Sequence, residues 1–352
     1  MAIYSAERPG VYTSYAVSGV VGAARGGGCV GLCAAASKMG VDSVQTILRE
    51  SDAMALYGED TAGCRMMGMV RALLAGGAGK ICAVSVPAGT DAAGYGGAFA
   101  LLENADGIAV MTCDSEDAGV HALLLQSVTR ASARGRERVM AAGAAVPPVE
   151  AISRAAGLNH ERCVFVCQPA QAGNDAAACY LAAGVAAAVA GMSDVSAPLS
   201  GGALPGITSL GGALGDDVTD ELLCAGVTVA QMSGGQAAMV RAVTTRTTRD
   251  GASDRLFHDI SVILIIDNVL GSVRDALRLR LSGAKNNAQT RDSIATQTQL
   301  ELSLKRQQGM IDRYDPPVVT QDEADPSVCN VALDFTVTRG INQIHISAQI
   351  QV

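Results

Sequence analysis

Three stretches of this 352-residue chain hold residue types that could do chemistry at the right spacing. Ala75-Gly76-Gly77-Ala78-Gly79-Lys80 has the glycines and the lysine of a loop that cradles phosphate. Such a loop also needs a glycine where Leu74 stands and a magnesium-holding hydroxyl where Ile81 stands, so a helix stop before a strand is expected instead. Gly22 to Gly31 has enough glycine for a dinucleotide turn, but its glycines precede a strand starting near Cys29 rather than joining a strand to a helix. That removes the helix terminus on which a pyrophosphate would sit. Ser282-Gly283-Ala284-Lys285 has the Ser-x-x-Lys spacing of acyl-transfer enzymes, yet this serine closes a helix where the enzyme's opens one.

The remaining reactive residues form no constellation. His121, His160, His258 and His345 lie far apart, without a Gly-x-Ser-x-Gly or His-Glu-x-x-His, and each reads as a surface or helix-face histidine. Ten cysteines are scattered singly through apolar runs, and no Cys-x-x-Cys occurs. Cys29 with Cys33, and Cys163 with Cys167, are spaced so that a strand would turn both thiols to one face. A metal pair is the sharper reading of that spacing and buried free thiols the expected one. Free thiols suit a reducing cytoplasm. No catalytic, cofactor or metal residue is assigned, and no cofactor is expected.

The elements that would have to position any site follow from composition and periodicity. Apolar residues make up 49%, charged residues 17% and aromatic residues 3%, with 40 glycines and no tryptophan. That is a small-residue composition in which helices can lie close on a sheet, and it is not a disordered one. A net charge of −8 argues against a generic nucleic-acid binder. Cys179 to Met192, the longest apolar stretch, is interrupted by Gly184 and shorter than the roughly 20 residues that span a bilayer, and no signal peptide is visible, so no membrane is expected.

Strand and helix signals alternate from about Cys29 to Ala190: strands near 29–36, 81–86, 107–113, 138–142 and 163–167, and helices near 62–74, 95–103, 116–134, 149–156 and 175–190. Ser43 to Arg49 reads as a turn or short helix. Such alternation implies crossovers and a mostly parallel sheet covered on both faces. After a loop at Ser196 to Gly215 come a short helix (221–225), a strand (227–232) and a β-rich run (237–247). Apolar residues at Leu256, Ile260, Ile263, Leu264, Val269, Leu270, Val273 and Leu277 then predict an amphipathic helix over 254–281, closing on Gly283. A second helix over 290–308 stops at Gly309, and an acidic, proline-containing loop (312–325) leads to the final strands.

Those final strands are a run alternating at Val331, Leu333, Phe335 and Val337 and another at Ile344, Ile346, Ala348, Ile350 and Val352. The second run has an extended counterpart at the other end, around Arg8-Pro9-Gly10-Val11-Tyr12. These two ends, with Ser253-Asp254-Arg255-Leu256-Phe257 leading into Ile263-Leu264-Ile265-Ile266-Asp267, and Gly340-Ile341-Asn342-Gln343-Ile344, resemble contractile tail sheath proteins. The nearest type is the short sheath subunit of Gram-positive R-type bacteriocins and prophage tail-like particles. The likeness is concentrated over 240–352, and is less specific over 1–20 and 50–110.

The resemblance implies an α/β fold: a mostly parallel, helix-covered sheet with a C-terminal α+β core domain and extended β arms at both ends. The implied organisation is an N-terminal arm (1–20), an α/β domain (21–235), a tube-facing C-terminal core (236–340) and a C-terminal arm (341–352). Arg8, Pro9, Gly10, Val11 and Tyr12, and Ile341, Ile344, Ile346, Ile350 and Val352, would add strands to neighbouring subunits. The implied partners are other copies of this chain, an inner tube protein, and baseplate and terminator proteins, with assembly in the bacterial cytoplasm and release in a particle.

Charge bears on the tube-facing core. Between Arg241 and Lys285 eight basic residues against five acidic ones give +3, leaving −11 for the rest. Arg274, Arg278, Arg280 and Lys285 cluster at the end of the long helix. Cations there satisfy the helix dipole, and they equally suit contact with an acidic tube; both readings stand. An α/β enzyme with a ligand site at the strand ends, beside Ser200-Gly201-Gly202, is the alternative.

Overall fold

Strands buried at almost every position need cover on both faces, and the chain has several: CVGLCAA at Cys29–Ala35, ICAVSV within Lys80–Val86 and CVFV at Cys163–Val166. In a computed structural model, which describes residues 28–38, 43–173, 175–279 and 284–342, these runs form the centre of one sheet. Up to the end of the alternating region the elements are β1 (Cys29–Ala35), β2 (Gln45–Ile47), α1 (Glu50–Tyr57), α2 (Met66–Ala75), β3 (Lys80–Val86), α3 (Ala92–Glu103), β4 (Ile108–Cys113), α4 (Ala118–Ala133), β5 (Val139–Gly143), α5 (Pro148–Leu158), β6 (Cys163–Val166), β7 (Ala170–Gln171), β8 (Ala176–Ala177) and α6 (Ala178–Ala190). The rest are β9 (Ser209–Leu210), α7 (Asp216–Cys224), β10 (Val227–Ser233), β11 (Gln236–Arg241), β12 (Thr248–Arg249), β13 (Ala252–Ser253), α8 (Ile260–Arg278), α9 (Ala288–Gln307), β14 (Ile311–Tyr314), β15 (Val318–Gln321), β16 (Cys329–Ala332) and β17 (Phe335–Val337).

The main sheet has eight strands in the order β11-β10-β6-β5-β4-β1-β3-β2. The six central strands pair in parallel, and β2 and β11 close the two edges antiparallel. Side chains alternate between two cores. Val30, Leu32, Ala34, Ile81 and Ala83 pack with α2, α6 and the first half of α8. Cys29, Cys33, Cys82, Val84 and Met140 face the other way, under α3, α4, α5 and α7. Both members of each cysteine pair, Cys29 with Cys33 and Cys163 with Cys167, share this second face, as their spacing predicts, and all four are free thiols.

Helix α6 lies close on the sheet because its face is alanine and because β5 ends in glycine. A Cβ on Gly143 would stand 2.5 Å from the Ala178 carbonyl oxygen, so only glycine permits this approach. Helix starts follow local polar chemistry: Asp91, Asp117 and Asn287 accept backbone N–H bonds from Gly94, Val120 and Thr290.

The last third builds a smaller third core. Val269, Val273 and Leu277 of α8 pack with Ile294 and Leu302 of α9, Ile311 and Phe335. Helix α8 therefore belongs to two cores, since Ile260 to Ile266 are part of the first.

Several expectations are corrected. Residues 43–49 hold the edge strand β2 and no helix. The helix expected from residue 62 starts at Met66, where Asp60 accepts from the Met67 and Gly68 N–H groups, and residues 50–57 are a helix of their own. The helix expected from residue 254 starts at Ile260, because Asp254 turns back onto the Leu256 N–H and Asp259 binds Arg241. Residues 312–325 contain most of β14 and all of β15, and the run at 328–337 divides into β16 and β17, which pair with β15 and β14 respectively. His121 lies on the inner face of α4, as a helix-face histidine, whereas His258 is buried outside any helix.

Candidate functional site

Two places on this fold could serve a function, and the first is the carboxyl edge of the sheet. From β1 the chain crosses to β3 on one side and then returns past β1 to β4, β5 and β6 on the other. Open α/β sheets bind ligands at such a reversal. A groove of about 470 Å³ lies there, lined by Ala35, Arg65, Thr90, Tyr95, Asp114 and Glu116 among others.

Its charged groups are engaged in holding elements together. Asp114 accepts from the Ala35 N–H at 2.8 Å and from the Tyr95 hydroxyl at 2.6 Å, joining β1 to α3. Burial pushes its carboxyl above the ordinary range, while these bonds oppose the shift. Glu116 accepts from the Ala145 and Ala178 N–H groups, and Arg65 pairs with Asp175 at 2.8 Å. His121 donates from Nε2 to the Ser115 carbonyl at 2.8 Å, so that ring nitrogen does not serve a serine hydroxyl; burial holds the ring's pKa low. The arrangement staples strand ends to helix starts, with no nucleophile aligned on a base among the described residues. Nor do these residues include three or more His, Cys, Asp or Glu side chains grouped to hold a metal. The Ser200-Gly201-Gly202 loop is elsewhere, bonded through Gly201 to Met239 of β11.

The second place is the end of α8 and the root of the C-terminal segment. Two buried ion pairs fix α8 on the sheet. Arg162, at the start of β6, binds Asp267 through both guanidinium nitrogens at 2.6 and 2.7 Å. Arg274 turns inward onto Glu137 and the Gly135 carbonyl and is buried. The four cations expected to face a tube therefore divide. Arg274 is committed internally, Arg278 and Lys285 are exposed, and Arg280 lies outside the described residues.

Where the C-terminal segment leaves the core it is tied down on three sides. The Ser200 hydroxyl donates to Asn342, Asn342 donates to Asp259, and Arg339 donates to the Leu256 carbonyl. Ile341 is 75% exposed beside these ties. The other residues expected to act as arms, Arg8, Pro9, Gly10, Val11, Tyr12, Ile344, Ile346, Ile350 and Val352, lie outside the described residues.

This whole architecture recurs in solved structures. The chain is similar to one in the anti-feeding prophage baseplate, with a TM-score of 0.76 and 15% identity over 99% of this chain and 100% of that one. The chain has the fold of contractile tail sheath proteins. A chain of the anti-feeding prophage helical sheath in its contracted state gives a TM-score of 0.74 at 15% identity, covering 99% and 100%. The sheath tail protein of Desulfitobacterium hafniense gives 0.69 at 14% identity, covering 94% and 100%. No protein-family model matches the sequence, and no curated protein does. Within the sheath fold, the buried pair of Arg162 and Asp267 is a feature that sequence reasoning missed. A lone carboxylate ending the apolar run Ile263 to Ile266 was the available signal, since such a residue is buried only with a partner.

Proposed function

We propose that this chain is the structural subunit of a contractile sheath. Copies polymerise as helically arranged rings around an inner tube, and their rearrangement drives the tube through a target envelope. The observation that carries this reading is the match over 99% of the chain to a subunit of a contracted helical sheath. The match to a baseplate chain supports association with a baseplate as well.

In this reading residues 1–20 and 341–352 are arms that add strands to neighbouring copies, 21–235 is the outer α/β domain, and 236–340 is the tube-facing core. Strand addition supplies main-chain hydrogen bonds that survive rotation of rigid cores, so subunits repack without separating. Contraction consumes no ATP and involves no cofactor: the extended sheath is a trapped state, and small free-energy differences per subunit add over many copies. The chain is made and assembled in the bacterial cytoplasm and leaves it in a phage tail-like particle.

The test is electron microscopy of the purified chain after size-exclusion chromatography, alone and with tube subunit. Hollow striated tubes or stacking rings are expected. The groove at the sheet's carboxyl edge favours a second reading, an α/β enzyme, which a uniform dimer or tetramer that stays discrete with tube subunit would support instead.

A further inference from the structure

Cys29 and Cys82 bring their sulfur atoms to 3.0 Å, from the neighbouring parallel strands β1 and β3. Both side chains are buried on the face covered by α3 and α4, and both thiols are free. Among the described residues this is the one hydrogen-bonded thiol pair in a chain of ten cysteines.

Positive charge surrounds the pair. Lys80 opens β3 two residues before Cys82. Arg138 is buried beneath the same face and donates to the carbonyls of Leu102, Ala105 and Arg136. These hydrogen-bond partners are neutral, and the carboxylates of Glu103 and Asp106 also act on the guanidinium. We propose that Cys29 and Cys82 are a redox-active dithiol, a modification site at which a hydroperoxide closes a disulfide between β1 and β3.

The sulfurs have distinct roles. The S–H bond donated by Cys29, then Lys80 and Arg138, hold the Cys82 thiol below its ordinary value, whereas Cys29 is pushed up by its bond to Cys82 and by burial. The thiolate is the nucleophile, so Cys82 attacks. Its sulfur takes the outer peroxide oxygen, the O–O bond breaks, and the alcohol leaves with one proton. Cys29 sulfur then displaces the oxygen of the Cys82 sulfenic acid, which departs as water. In sum two thiols lose two electrons and the hydroperoxide is reduced to an alcohol and water.

Closure to a disulfide bond length of about 2.05 Å asks the sulfurs to approach by about 1 Å. Because Cys29 stands opposite Lys80 and Cys82 opposite Gly31, two residues out of register, the backbone at one of them must shift as well. The fold has that slack at one end. Cys29 is the first residue of β1, and the β1–β4 register slips between Cys29 and Val30. By contrast Cys33 and Cys113 sit in register on β1 and β4, with thiols that burial pushes well up. This chemistry is independent of the assembly role.

The experiment treats the native full-length chain with hydrogen peroxide, denatures it, blocks remaining thiols with N-ethylmaleimide and maps a non-reduced digest by mass spectrometry. A Cys29–Cys82 linked peptide is expected, with the maleimide adducts of Cys29 and Cys82 lost and regained on treatment with dithiothreitol. The exposed Cys224 reports that oxidant was active. Recovery of Cys29 and Cys82 as maleimide adducts, or of Cys82 as a sulfinic acid beside free Cys29, overturns the proposal. A Cys29→Ser chain removes the resolving sulfur and should leave Cys82 as a sulfenic acid that dimedone traps. An untrapped, unoxidised Cys82 in that variant counts equally against it.

Discussion

Arg162 and Asp267, 105 residues apart, meet in a two-pronged ion pair that fastens the middle of α8 to the start of β6. Both side chains are largely withdrawn from solvent, at 4% and 14% exposure. Removing one partner strands the other charge in the interior, so Asp267→Ala should destabilise the chain by about 3–5 kcal/mol. Replacing both, as Arg162→Met with Asp267→Leu, should cost clearly less than the single change. Urea unfolding followed by circular dichroism decides; a single variant within about 0.5 kcal/mol of the parent would show that the pair is not holding the helix.

Charge at the end of α8 should separate into folding and assembly effects. Arg274→Glu places like charge against Glu137 inside the protein and is expected to lower the unfolding midpoint strongly. Arg278→Glu with Lys285→Glu changes exposed groups and should leave that midpoint nearly unchanged while weakening co-sedimentation with tube subunit. Equal co-sedimentation of the double variant and the parent would remove these two residues from the tube surface.

His258 makes the fold sensitive to acid. Its pKa is lowered from the usual 6.5 to about 4 by burial and then by Arg241 and Arg255, against a smaller opposing effect of Asp259. Arg255 can only donate, so the ring's Nε2 accepts and the neutral form is the one accommodated. The unfolded chain takes up this proton near 6.5 and the folded chain resists it. Stability from this residue is thus full above about pH 6.5 and is lost as pH falls towards 4, by up to about 3 kcal/mol. His121 and His160, also shifted down chiefly by burial, act in the same direction. Urea midpoints at pH 7 and 4.5 should differ less in His258→Gln than in the parent.

The arm residues give a sharper assembly test. A chain ending at Gln343 lacks the alternating run from Ile344 to Val352 and should fold with an unchanged circular dichroism spectrum yet form no tubes. Tubes of normal length and diameter from the truncated chain would refute strand addition by that segment.

The centre of the sheet was legible because fully apolar runs such as Cys163–Val166 stand between helix-length segments with clear stops, as at Gly76 and Gly77. The short strands β2, β14 and β15 were not. Each has only three or four residues, and what makes it a strand is a partner elsewhere in the chain rather than its own pattern. The inward turn of Arg274 was readable in principle. It lies four residues after Leu270 and three before Leu277, on the apolar face of its own helix, and the cationic cluster drew attention to the helix end instead. Glu137, which receives it, carries no mark in the sequence of its role. The burial of His121 and His258 was equally hidden, since histidine fits either side of an amphipathic pattern.

Because α8 contributes Ile260 to Ile266 to one core and Val269 to Leu277 to another, the two are joined by an unbroken rod and not by a loop. Turning one against the other would require breaking backbone hydrogen bonds within that rod and, with them, the clamps at Asp267 and Arg274. Torque applied at β14 to β17 would therefore pass along α8 towards the eight-stranded sheet, as a crankshaft passes it.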